Sequence, residues 1–159
     1  MKVNLLAQER YLFINFALEN DIDLFPIKTG QKAPPPKGWQ KMACCDRLKF
    51  QNWFLENDHN IGVATGNGLV VVDVDMKSKK DGLASLHELE NEVGQTLPPT
   101  FTVRTPNHGL HFYYFYDANQ HEIGNSINEI GDGIDIRGDG GYVVGPGSKI
   151  VKGVYTREL

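Results

Sequence analysis

The sequence predicts an α+β domain: an antiparallel or mixed sheet backed by helices on one face. Three observations lead there. Apolar residues recur at helical spacing near the start and in the middle of the chain. Between and beyond those segments lie short apolar or alternating runs of strand length. Turns rich in Gly, Asn and Asp separate the runs.

From 5 to 18, Leu5, Leu12 and Phe16, with Phe13 and Ala17 beside them, mark an amphipathic helix ending near Asn20. Segment 28–37 holds three consecutive prolines, Pro34 to Pro36, which forbid regular helix and keep the backbone extended. Asp46 can cap a second helix carrying Leu48, Trp53 and Phe54. Asp81 or Ser85 can cap a third, with Leu83, Leu86, Leu89 and Val93, before Gly94. Residues 60–75 read as a hairpin turned at Gly66-Asn67-Gly68. Segments 100–105 and 110–116 read as a strand pair, and 133–137 is expected to pair with 142–144 across the turn 138–141.

A length of 159 residues suits one domain, 1–159, able to bury a core without a disulfide or metal staple. No apolar run approaches the roughly 20 residues of a membrane span, and the start lacks a secretory leader, so a cytoplasmic protein with no membrane partner is expected. Cys44 and Cys45 are adjacent and have no second thiol pair, which argues against structural zinc. The net charge of −4 argues against a surface that grips nucleic acid everywhere. The charge is unevenly spread, however. Between 27 and 50, Lys28, Lys32, Lys37, Lys41, Arg47 and Lys49 are opposed by Asp46 alone. Lys28, Lys32 and Lys37 are candidate template or phosphate contacts on a stiff loop; the alternative is a solvated linker.

Chemistry concentrates in the strands. In the run 69–75, alternation puts Val70, Val72 and Val74 on one face and Val71, Asp73 and Asp75 on the other. Two carboxylates side by side repel each other unless something cationic lies between them. Mg2+ or Mn2+, which prefer oxygen ligands and retain waters or phosphates, would suit that place. Asp135 supplies a third carboxylate, on a strand face shared with Arg137, whose guanidinium suits a phosphate. The alternative for Asp135 is a plain ion pair with Arg137. His111 opens an aromatic strand with Tyr113 and Phe115 on its own face; it is either a packed histidine or, beside the three aspartates, a phosphate ligand. Together these groups describe a phosphoryl-transfer site, as found in polymerases and in several nucleases.

Five segments, in order, resemble the bifunctional DNA primase/polymerase amino-terminal domain, a branch of the archaeo-eukaryotic primase superfamily found in phages, plasmids and mobile elements. They are the Lys- and Pro-containing loop 30–39 ending in Gly-Trp, Asn-Ile-Gly-Val-Ala-Thr-Gly at 60–66, Val-Asp-Val-Asp at 72–75, Thr-Pro-Asn-His-Gly-Leu-His at 105–111, and Gly-Ile-Asp-Ile-Arg at 133–137 followed by the glycine-rich 140–148. The resemblance covers about 25–155. It implies a primase catalytic core with an RRM-like half and a second α/β half. It further implies that Asp73, Asp75 and Asp135 are metal ligands and that His111 contacts the incoming nucleotide. Asn60, Thr65 and Ser148 would line the site through their motif positions. The implied reaction is template-directed nucleotidyl transfer from nucleoside triphosphates on single-stranded or primed DNA, in the replication of a phage, plasmid or mobile element. Where the family has Ser-Gly-Gly before the histidine, this chain has Asn107-His108-Gly109, a bulkier turn. It carries no helicase-like phosphate loop, so it is expected to be an excised domain or to borrow a helicase. Two other classes fit the same residues. One is a non-catalytic nucleotide or single-strand binding module, with Tyr113, Tyr114 and Tyr116 as stacking platforms; the other is a metal-dependent nuclease or phosphohydrolase.

Overall fold

The computed structural model describes residues 4–77 and 79–158. In chain order the elements are α1 (Leu5–Glu19), β1 (Leu24–Ile27), α2 (Trp39–Met42), α3 (Arg47–Phe50) running into a π-helical segment (Gln51–Glu56), β2 (Asn60–Ala64) and β3 (Leu69–Val74). Then come β4 (Met76–Lys77), β5 (Lys80–Asp81), α4 (Gly82–Val93), β6 (Thr102–Arg104), β7 (Leu110–Phe115), β8 (Ser126–Ile127) and β9 (Ile134–Arg137). The last are β10 (Tyr142–Val144), β11 (Lys149–Ile150), β12 (Gly153–Val154) and β13 (Thr156–Arg157). The α+β class holds, and the strand pairs of both main sheets are antiparallel. The chain divides into two compact units, Met1–Ala64 with Tyr142–Arg157, and Thr65–Gly141 with Glu158–Leu159.

The first unit builds on a sheet ordered β1-β2-β10. Its α1 starts where the Asn4 side chain accepts from the Ala7 N–H and ends where Asn20 donates to the Phe16 carbonyl. The buried stripe of α1 is Arg10, Phe13, Ile14 and Ala17, whereas Leu5 and Leu12 are exposed, so the face expected from Leu5 and Leu12 is rotated. The sequence is apolar around much of this helix, and tertiary packing selects the stripe. Asp46 caps α3 as expected, but the helix widens to π geometry after one turn and buries Phe50 and Phe54 rather than Leu48. Phe25 stacks on Trp39 at 4.6 Å and meets Tyr142 edge-on at 5.5 Å. Gly62 lies under the Phe25 ring, where a Cβ would overlap it.

In the second unit the strands are ordered β6-β7-β3-β9-β8. The apolar run of β3 suits a central strand, and it pairs with β7 on one side and β9 on the other. Asp81 caps α4 by accepting from the Ala84 N–H, and Gly94 ends it in left-handed conformation. Leu86 of α4 packs with Val74 and Ile134, and Leu83, Leu97, Val72 and Phe112 close around them. One sheet face is thereby covered by the helix.

Two expected pairings are corrected. Residues 60–64 and 69–74 do not form a hairpin: β2 pairs with β1 and β10, and β3 with β7 and β9. The Gly66-Asn67-Gly68 turn does form, with Gly66 and Leu69 exchanging backbone bonds of 2.7 and 3.1 Å, but beyond it the chain passes into a different sheet. Likewise β9 and β10 belong to different sheets, although Gly141 N–H closes a turn onto the Gly138 carbonyl at 3.0 Å. Local turn chemistry is correct in both places, and non-local pairing overrides the inferred partner.

Candidate active site

The register of β3 sets the geometry. Asp73 is the Cα partner of His111 on β7 and of Asp135 on β9, so three polar side chains stand in one row across three strands. Directly paired residues share a sheet face. The row therefore lies on the face opposite the Val74, Leu86 and Ile134 cluster. Arg137, two residues beyond Asp135, projects from that same face.

These groups compensate one another. His111 Nε2 lies 3.4 Å from Asp73 Oδ1, and Arg137 Nε lies 3.8 Å from Asp73 Oδ2. Arg137 Nη2 donates to Asp135 Oδ2 at 2.8 Å, and Asp135 Oδ1 accepts from the Asn128 N–H at 3.1 Å. Burial pushes the Asp73 carboxyl up, but His111, then Arg137 and Lys77, outweigh it and hold the group below the ordinary aspartate range. Tyr113, fully buried next along β7, is pushed upward by burial and then by the Asp73 charge, so its hydroxyl stays protonated.

Asp75 lies one residue past β3 and its carboxylate accepts from Lys77 Nζ at 2.8 Å. Its backbone is pinned: its N–H donates to Gly133 at 2.8 Å and its carbonyl accepts from Gly82 at 3.0 Å. Lys77 escaped the sequence reading, yet the alternation that joined Asp73 to Asp75 reaches Lys77 at the next step. The cation that the carboxylate pair required is supplied by Arg137 and Lys77, with the His111 ring beside Asp73. Among the described residues, no three His, Cys, Asp or Glu side chains gather as a metal ion would need.

The turn before His111 spends its amides internally. His108 N–H donates to the Thr105 carbonyl at 2.9 Å, and Gly109 N–H to Thr105 Oγ1 at 3.0 Å. His108 itself takes a left-handed φ of 65°.

The remaining candidates have other partners. Asn60 is buried and, among the described residues, bonds main chain: Nδ2 donates to Gln31 and Lys149 carbonyls at 2.8 Å each, and Oδ1 accepts from Lys149 N–H at 3.0 Å. Ser148 Oγ accepts from the Ile61 N–H at 2.8 Å, and Thr65 Oγ1 donates to the Gly138 carbonyl at 2.7 Å. These three stitch loops together. Lys28, Lys32 and Lys37 are exposed in the first unit.

The family model for the bifunctional DNA primase/polymerase N-terminal domain (Prim-Pol) matches residues 15–158. The chain belongs to the Prim-Pol family. None of the curated proteins compared with it matches. Family membership implies nucleotide and DNA substrates and points to primase/polymerase chemistry. No described helix of this Prim-Pol domain is long and apolar enough to cross a membrane.

Proposed function

We propose that this Prim-Pol domain, acting as a single catalytic unit with the primase-core fold, performs template-directed nucleotidyl transfer by a two-metal mechanism on DNA of a phage, plasmid or mobile element. The observation that carries the reading is the Asp73 row, with His111 and Asp135 in register on either side of it in one sheet. The donor set suits the metal: carboxylate oxygens alone, hard ligands for Mg2+ or Mn2+. Asp73, Asp135 and Asp75, which as they stand do not gather about one point, would have to converge to hold the ions, Asp75 exchanging Lys77 for them. Bound there, the ions would supply Lewis-acid stabilisation of the attacking and leaving oxygens of an in-line displacement.

The chain's own side chains do the rest. Arg137 and His111, now turned to carboxylates, would turn to the triphosphate and orient it, a guanidinium fork matching phosphate oxygens. Lys77, released from Asp75, would add a mobile positive charge at the same edge. Asp73, held below the ordinary aspartate range, presents a charged carboxylate at neutral pH without a proton to lose first.

Primer extension by the purified domain with Mg2+ or Mn2+ tests this. Extension that disappears in Asp73→Asn and in Asp135→Asn, with melting temperature retained, is the expected result. Strand cleavage or triphosphate hydrolysis without extension would instead make it a nuclease or phosphohydrolase. Metal-free strand binding with no turnover would make it a binding module.

A further inference from the structure

The first unit holds an open groove of about 470 Å³ that the site above does not use. One wall is the loop carrying Gln31, Lys32 and Pro34; the other is the turn of the β11–β12 hairpin, with Ile150, Val151 and Lys152. The walls come from two stretches without a single acidic residue. Positions 24–45 contain four lysines, and positions 140–157 contain two lysines and an arginine, in a chain whose net charge is −4. Charge is thus segregated onto this part of the first unit. The walls are also fixed. Buried Asn60 bonds the Gln31 carbonyl on one side and both the N–H and carbonyl of Lys149 on the other. Tyr142 adds a hydroxyl bond to the Lys32 carbonyl at 3.3 Å.

We infer that this groove binds a single-stranded nucleic-acid segment, with Lys32 and Lys152 on its phosphates and the apolar rim of Pro34, Ile150 and Val151 against unstacked bases. This rests on the reading that the domain works on DNA strands and names where one of them lies. A paired lysine lining with no carboxylate suits a polyanion, and exposed apolar side chains suit base faces, which a duplex would keep stacked inside. A volume in the range of small-ligand pockets fits a short piece of one strand. Asn60 and Tyr142 pre-organise the walls, lowering the ordering cost of binding.

Fluorescence anisotropy of a labelled oligothymidylate, without metal or triphosphate, reads the groove alone. Lys32→Gln with Lys152→Gln should weaken binding by on the order of tenfold and make the salt slope shallower by about 1.4, the single-strand value for two phosphate contacts. Lys41→Gln with Lys49→Gln removes the same charge from exposed positions of the same unit that do not line the groove. This control pair should leave the slope nearly unchanged. Equal effects from both pairs, or none from the groove pair, overturn the assignment, as does a groove pair that alters triphosphate binding alone. Because all four lysines are exposed, thermal melting should match wild type. A domain inactive in extension that keeps groove-dependent strand binding would sink the catalytic reading and leave this one standing, and the reverse holds equally.

Discussion

The buried polar side chains of the first unit and the Asp73 row of the second are satisfied differently. In the first, Arg10, Asn60 and Ser148 reach main-chain groups: Arg10 Nε donates to the Gly147 carbonyl at 2.6 Å and Nη1 to the Phe54 carbonyl at 3.2 Å, while its guanidinium also pairs with Asp58. In the second, Asp73, His111, Asp135 and Arg137 chiefly answer one another. A side chain bonded to backbone holds a loop, and its partners cannot leave without unfolding something. Side chains bonded to one another are exchangeable, because a ligand of the right charge can replace either partner. The identity of the partner, more than burial itself, separates scaffold from chemistry.

The largest effect expected from this contrast is on activity. Asp73→Asn should lower the extension rate by on the order of 100-fold or more and leave stability nearly unchanged, since it relieves a desolvated charge while removing its partners' compensation. Steady-state extension paired with urea melts reads both quantities. Should the variant lose several kcal/mol of stability instead, the row is structural and the distinction between units fails.

Much of this could be read in the sequence, but unevenly. The end of α1 near Asn20, the Asp81 cap and Gly94 stop of α4, and the alternation placing Asp73 with Asp75 and Asp135 with Arg137 are local signals and are legible. Which strands pair is not local. Gly66-Asn67-Gly68 and 138–141 make the turns their residues favour, and nothing in a turn states whether the flanking strands stay together. The register of Asp73 with His111 and Asp135 spans separations of tens of residues and emerges only from the assembled sheet. Asn60, Thr65 and Ser148 looked like site residues because polar groups in glycine-rich motifs serve loops and ligands alike. Only their bonding partners tell the two roles apart.

Next in size are two stability effects. Gly109 approaches β3 so closely that a Cβ there would overlap the Val74 carbonyl oxygen, one residue before Asp75. Gly109→Ala should therefore cost about 3 kcal/mol and disturb activity together with stability, because it shifts the strand that carries the carboxylates. Asn60→Ala leaves two carbonyls and an N–H of the first unit without their partner and should cost about 2 kcal/mol. Its extension rate per folded molecule should stay close to wild type on saturating primed template. A rate that falls with stability intact would move Asn60 out of the scaffold class.

The smallest effect is a pH dependence, and it separates the units by chemistry alone. Asp73 has its folded-state pKa lowered, so its contribution to stability is present above the ordinary aspartate value of about 3.9 and is lost as pH falls through the lower folded value. The stability difference between wild type and Asp73→Asn should therefore shift against wild type as pH drops below about 4. The Asn60 amide does not titrate, so the deficit of Asn60→Ala should stay level across the same window. Urea melts of the three proteins from neutral pH into the acid range provide the comparison. A flat wild-type versus Asp73→Asn difference would mean that His111, Arg137 and Lys77 do not hold Asp73 in place, and the exchange of those partners for a ligand would lose its physical basis.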